Sequence, residues 1–172
     1  MTTANKLTIF RVVLIPVFLV LAYLWQRYWA LAVFVIASLT DMADGYIARH
    51  YNQITDFGKF MDPLADKVLV MAAMCYFVEV GRMPGWVLAI VLLREFAVSG
   101  MRLVAVEQGR VIAAAWSGKI KTGVTMVGLG VMLLFCRYSA VNVIVTALIV
   151  LTTLYSGVEY FYKNRDVFKD VK

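Results

Sequence analysis

Charge is scarce in this 172-residue chain. Charged residues make up 16% of it, acids number only 11, and 62% of the residues are hydrophobic. The mean hydropathy is +0.79. Soluble domains usually carry about 25% charge and 45–50% apolar residues. A core of this size cannot hide so much apolar surface, so lipid is the solvent for much of the chain. That excludes a disordered chain and a coiled coil. Cysteine is scarce too: Cys75 and Cys136 stand alone in separate apolar runs with no C-x-x-C pair. A disulfide scaffold is excluded, nothing in their spacing supports a thiolate metal site, and both cysteines read as small buried hydrophobes. Histidine is limited to His50, which with no thiol nearby argues against zinc and reads as an interfacial residue.

What is present is long apolar runs. Spanning about 30 Å of hydrocarbon takes roughly 20 helical residues. Six stretches fit, at 7–25, 29–48, 63–80, 84–102, 119–135 and 140–162. Long runs rather than short alternating strands speak against a membrane β-barrel. The first run, interrupted by Arg11 and lacking a small-residue cleavage site after it, reads as a span rather than a leader. No repeat or linker divides the chain, so residues 1–172 form one integral-membrane domain.

The basic residues give a sidedness. With the N-terminus inside, the outer turns carry Arg27, Arg82 and Arg137, and the remaining 14 of the 17 lysines and arginines fall on the inner side. The expectation is an all-α membrane protein with six transmembrane helices and both termini cytoplasmic. Trp25, Tyr28, Trp29 and Trp86 flank the outer ends, as interfacial aromatics do. The +6 net charge therefore reads as membrane anchoring, with no nucleic-acid partner.

Against this background the few acids stand out. The inner half of the second span reads Asp41-Met-Ala-Asp44-Gly45-Tyr-Ile-Ala48-Arg49, and Gly58, Asp62 and Asp66 follow at spacings of four. Counted from Trp29, Asp41 lies ~18 Å into the membrane. On helical wheels the charged and small residues of each group share one face. Each intramembrane carboxylate costs about 2.5–3.5 kcal/mol, and four together repel. Two divalent cations would cancel the four charges, and an all-oxygen donor set favours Mg²⁺ or Mn²⁺. Such metals, bridged to phosphate oxygens, serve phosphoryl transfer. An ion pathway, or a salt-bridge network with Arg49 and Lys67, remains an alternative for the four acids alone. Gly45, Ala48 and Gly58 fit either close helix packing or backbone access for a ligand.

The pattern Asp41-x2-Asp44-Gly45-x2-Ala48-Arg49-x8-Gly58-x3-Asp62-x3-Asp66 resembles, at all eight fixed positions, the signature of the CDP-alcohol phosphatidyltransferases. Asn5-Lys6-Leu7-Thr8 with Arg11 and Pro16, Leu93-Arg94-Glu95, and Gly118-Lys119-Ile120-Lys121-Thr122 look like the phosphatidylglycerophosphate synthases within that family. The resemblance implies a homodimer with a binuclear metal site in a polar cavity at the cytoplasmic side of the plasma membrane. Asp41, Asp44, Asp62 and Asp66 would hold the two cations, with Asp66 also the general base. Gly45, Ala48, Arg49 and Gly58 would line the cytidine diphosphate pocket. The implied reaction moves the phosphatidyl group of CDP-diacylglycerol to glycerol 3-phosphate, giving phosphatidylglycerophosphate and CMP in phospholipid biosynthesis.

The basic residues near the inner surface have two readings, anchoring to anionic lipid or a cradle for the acceptor phosphate. The cradle reading takes Arg94, Arg110, Lys119 and Lys121. Arg94 lies ~15 Å below Pro84, where an arginine needs an anion or a water-filled cavity. Neighbouring residues point apart on a helix, so Glu95 is expected to pair with Arg102, seven residues on, rather than with Arg94. Rival activities are the same chemistry with phosphatidylglycerol, serine or an inositol phosphate as acceptor. An intramembrane prenyltransferase would need a second aspartate motif, and a cation transporter leaves the glycines and Arg49 unexplained.

Overall fold

In hydrocarbon a backbone N–H or C=O has no water to bond, so long apolar runs close their hydrogen bonds within themselves as helices. The computed structural model describes the backbone of residues 3–50, 56–110, 112–113, 115–135 and 137–168, and the side chains of 9–40, 67–110, 112–113, 115–135 and 137–167. Over these residues the chain forms six helices and no strand: α1 (Thr3–Tyr23), α2 (Arg27–His50), α3 (Asp56–Glu79), α4 (Gly85–Glu107), α5 (Trp116–Leu134) and α6 (Ser139–Lys163), then a short 3₁₀ turn, Arg165–Phe168.

Two boundaries differ from the sequence expectation. α3 begins at Asp56 rather than at residue 63. An aspartate at a helix N-terminus is favoured by the helix dipole, and Pro63 forfeits one backbone bond without ending the helix. α4 runs on to Glu107 rather than stopping at 102. Residues 103–107 favour helix, and the stop comes at Gly109, whose φ of 70° is accessible to glycine without strain. There the Arg110 N–H reaches back to the Ala105 carbonyl at 2.8 Å. The same closure ends α3, with Gly81 at φ 67° and the Arg82 N–H on Phe77 O at 2.8 Å. It also ends α1, where the Gln26 N–H meets Leu21 O at 3.0 Å. The left-handed position in that turn is Trp25, at φ 58°, a conformation that costs an L-residue about 1–2 kcal/mol.

Helical periodicity decides the packing. α1 buries Arg11, Ile15, Phe18 and Ala22 on one stripe and α2 buries Ala30, Phe34 and Ala37; α1 lies against both α2 and α3. α5 packs on α6 and α2, while α4 docks on α6 through a second cluster of Val98, Met101, Ala105, Tyr160 and Val167. The three tight turns, α1–α2, α3–α4 and α5–α6, meet at one end of the bundle, where Arg27, Arg82 and Arg137 line one cavity.

The outward surface is apolar. Leu93, Phe96, Val127 and Val158 are each about 70% exposed, as suits a lipid-facing wall rather than a water-facing one. Among the described residues α6 is long and apolar enough to cross a membrane. Cys75 is exposed on this wall and is not the buried hydrophobe expected of it, because it falls off the Ala73–Met74–Phe77 stripe that faces the bundle. Cys136 lies outside the described residues.

One position holds α5 and α6 together. A Cβ on Gly128 would stand 2.7 Å from Val145 Cγ1. A helical valine has one strongly preferred rotamer, so the helices themselves must part. Gly128→Ala is expected to cost about 1–3 kcal/mol, read as a lower melting temperature in detergent. An unchanged melt would show that the α5–α6 contact gives way freely.

Candidate active site

The backbone places the aspartates by register. α2 continues unbroken from its buried stripe to His50. At roughly 100° per residue, positions 41, 44 and 48 fall on the same helix face as Ala30, Phe34 and Ala37. α3 likewise runs unbroken from Asp56, and positions 62 and 66 share the face of Leu69 and Ala73, which are buried in the core. The faces that carry the four aspartates are thus the faces that, further along the same two helices, turn into the bundle. The side chains of Asp41, Asp44, Gly45, Ala48, Arg49, Gly58, Asp62 and Asp66 lie outside the described residues. The signature begins about 14 residues, or ~21 Å, along α2 from Arg27, so it belongs to the end opposite the tight turns.

Next to this end a polar network joins four helices, α3 to α6. Its hub is Glu95 on α4. Lys121 of α5 donates to Glu95 Oε1 at 2.8 Å, and Arg94 Nη1 donates to the same oxygen at 2.9 Å. Lys67 of α3, the neighbour of Asp66, stands 4.0 Å from Glu95 Oε2 and donates to Ser99 Oγ at 2.6 Å. The second arginine terminal nitrogen, Arg94 Nη2, donates to Ser156 Oγ on α6. The network is largely withdrawn from the surface: the Lys121, Arg94 and Glu95 side chains are 5%, 12% and 16% exposed. Three cations meet one carboxylate, which leaves a local charge of +2.

Arg94 reaches this position through glycines. Hypothetical Cβ atoms on Gly118 of α5 and Gly157 of α6 would stand 3.4 Å from Arg94 Nη2 and Arg94 Cγ. The two glycines therefore keep open the slot that the arginine threads. Gly118 opens the 118–122 motif read from the sequence, and its small size now has a structural cause.

Glu95 pairs with Arg94 and Lys121, not with Arg102. The Cβ atoms of helical neighbours point apart, yet a guanidinium at the end of a long side chain can turn back to its neighbour. Arg102 instead donates to the hydroxyl of buried Tyr160 at 3.0 Å, with its guanidinium 5.5 Å from that ring's centroid. Docking of α4 on α6 supplies this partner, which no spacing within α4 could reveal.

The four basic residues read as an acceptor cradle do not come together as one group. Arg94 and Lys121 meet at Glu95. Arg110 lines a separate cavity of about 440 Å³ with Lys163, Asn164 and Asp166, where the α4–α5 connection meets the end of α6. Lys119 is exposed and lies 5.2 Å from the centre of the Trp116 ring; two residues from Lys121, it is on another face of α5. Glu95 as a hub, and Ser99 and Ser156 as its second ring, escaped the sequence reading. The available signal was an acid in mid-helix flanked by cations on neighbouring spans.

A family model described as CDP-alcohol phosphatidyltransferase matches residues 1–155. The CDP-diacylglycerol--glycerol-3-phosphate 3-phosphatidyltransferase of Bacillus subtilis (strain 168) is 40% identical, over 96% of each chain. The enzyme of the same name from Escherichia coli (strain K12) is 38% identical, over 92% of each. A probable phosphatidylglycerophosphate synthase of Mycobacterium tuberculosis (strain ATCC 25618 / H37Rv) is 39% identical, over 91% of this chain and 78% of its own.

Proposed function

The chain belongs to the CDP-alcohol phosphatidyltransferase family, and on that premise we propose that it transfers the phosphatidyl group of CDP-diacylglycerol to glycerol 3-phosphate. The observation that carries the acceptor is the +2 network around Glu95, beside the α3 stripe that bears Asp62 and Asp66. The phosphate of glycerol 3-phosphate carries close to two negative charges at neutral pH. Serine and phosphatidylglycerol offer no phosphate dianion to such a site. The names of the Bacillus and Escherichia relatives point to the same acceptor.

The donor set fits the metals that the family implies. Four carboxylates on two inward helix faces supply oxygen ligands for hard divalent ions. Asp41, Asp44, Asp62 and Asp66 would hold two such ions, Mg²⁺ or Mn²⁺, which supply charge neutralisation and alignment for the pyrophosphate. The residues do the rest. Asp66 takes the proton of the primary hydroxyl as general base. The hydroxyl oxygen forms a bond to the lipid-side phosphorus, and the bond from that phosphorus to the bridging oxygen breaks, releasing CMP. Arg49 meets the departing phosphate with a planar, permanently charged fork. Gly45, Ala48 and Gly58 leave the nucleotide room against the helix backbones. Lys121 and Arg94, held by Glu95, face the acceptor phosphate, while Arg110 and Lys119 draw anions toward the site from the surface.

The same proposal places the protein in the plasma membrane as a six-span homodimer with its active site toward the cytoplasm. The apolar outer wall, the span-length α6 and the 14-to-3 distribution of cations support that orientation. Metal removal tests the chemistry. Purified protein with CDP-diacylglycerol and glycerol 3-phosphate is expected to release CMP, to stop on chelation, and to recover with Mg²⁺ or Mn²⁺. CMP release that persists at full rate after exhaustive chelation would contradict the metal reading.

A further inference from the structure

No step of the transfer uses the groove between α4 and α6 on the outer wall. It encloses about 810 Å³, between Ile90, Leu93 and Ala97 of α4 and Leu154, Val158 and Phe161 of α6. Leu93, Leu154 and Val158 are exposed, so the groove opens onto the lipid-facing wall. Between Thr153 and Tyr162 it follows α6 for ~14 Å. That is close to one leaflet's half of the about 30 Å hydrocarbon core. A single acyl chain matches both its length and its apolar lining.

The inner rim of the groove carries a charge. Arg165, in the turn after α6, lines it together with Tyr162, and its guanidinium lies 5.4 Å from the centre of that ring. The ring contact covers one face of the guanidinium. It leaves the positive charge and the in-plane N–H donors for a phosphate. Among the described residues Arg165 makes no ion pair. Tyr162 is exposed near the end of the span, the level of lipid head groups. Two other occupants fit less well. A second copy related by a two-fold axis along the membrane normal keeps each residue at its own depth, so the Arg165 rims of the two grooves would face each other. The lipid donor of the reaction has its pyrophosphate at the aspartates of α2 and α3, and neither helix lines the groove.

We propose that the α4–α6 groove holds one chain of an anionic phospholipid of the cytoplasmic leaflet, with its phosphate on Arg165, and that this lipid is a separate molecule from the substrate. The chain lies against Arg94, which lines the groove with its Cγ beside the bare backbone of Gly157. The terminal nitrogens of the same arginine bond Glu95 and Ser156. The proposal rests on reading the helices as membrane spans, a reading checked separately by resistance of the protein to alkaline extraction from membranes.

The test is native mass spectrometry of the detergent-solubilised protein, with CDP-diacylglycerol present to occupy the reaction site. The probes are phosphatidylglycerol and phosphatidylcholine, whose choline cancels the phosphate charge. The wild type is expected to retain one phosphatidylglycerol about fivefold more tightly than phosphatidylcholine, the value of one arginine at an anionic head group. Arg165→Gln is expected to remove that preference. Ala97→Phe fills the groove, and is expected to lower retention of both lipids about tenfold, the worth of roughly two buried methylene groups. An unshifted melt in detergent shows that each variant is folded, whatever reaction the protein catalyses. Should Ala97→Phe not fold, Val158→Phe narrows the same groove from an exposed position and is expected to act alike. Equal retention of phosphatidylglycerol by the wild type and the folded groove variant overturns the proposal. So does conversion of a dimer to monomers by that variant, which would make a second copy the occupant. Weakened retention of CDP-diacylglycerol by it would make the groove the path of the substrate's own chain, and overturns the proposal as well.

Discussion

Asp66→Asn is expected to lower CMP release by about 10²–10⁴-fold, the range a positioned general base supplies, while leaving the folded protein intact. Asparagine keeps the size and shape of the side chain but carries neither the charge to hold a cation nor the basicity to take a proton. Position 66 lies in the middle of α3, which spans Asp56–Glu79, on the stripe that continues into buried Leu69 and Ala73. The amide therefore adds no bulk to a packed face, and melting in detergent should change little. The control is Asp56→Asn, at the helix start and outside the eight-position spacing, which should retain near-full turnover. Activity of Asp66→Asn within tenfold of wild type would remove it from the role of base.

The second large effect concerns stability. Glu95→Gln withdraws the one carboxylate shared by Lys121 and Arg94. Both cations are nearly buried, and breaking a buried ion pair by removing one partner costs about 3–5 kcal/mol. For a chain of this size that corresponds to a fall in melting temperature of roughly 10 °C. Turnover should fall as well, since Lys121 and Arg94 lose the group that holds them. Replacing the three nearly buried partners together distinguishes pairing from packing: Glu95→Leu with Arg94→Met and Lys121→Met should recover much of the melting temperature and none of the activity. A Glu95→Gln protein that melts as the wild type does would show that the network contributes nothing to the fold.

Much of the architecture was legible because helix periodicity and membrane thickness are local properties. The limits of α2 and α6 fall within two residues of expectation. The aspartate signature was legible for the same reason, since spacings of three and four map directly onto a helix face. What the sequence hides is which neighbour each face meets. Arg102 has its partner, Tyr160, 58 residues away, and only the docking of α4 on α6 brings them together. Lys119 and Lys121 look alike in the sequence, yet one points outward over Trp116 and the other is buried on Glu95. The three outer arginines read as a tally of sidedness, and their convergence on one cavity emerged only when the three turns met. Gly118 stands in the sequence as one residue of a motif and Gly157 attracts no notice there; the need for both to be small appears only with Arg94 lying between them.

The most direct test of the central claim follows one labelled acceptor. Purified protein in CDP-diacylglycerol micelles with Mg²⁺ receives glycerol 3-phosphate labelled in its carbon, and CMP and chloroform-soluble label are measured over time. The account predicts one labelled lipid per CMP, with the lipid carrying two phosphates, and no CMP when the acceptor is omitted. Release of CMP without label entering lipid, or transfer to serine or an inositol phosphate in place of glycerol 3-phosphate, would contradict it.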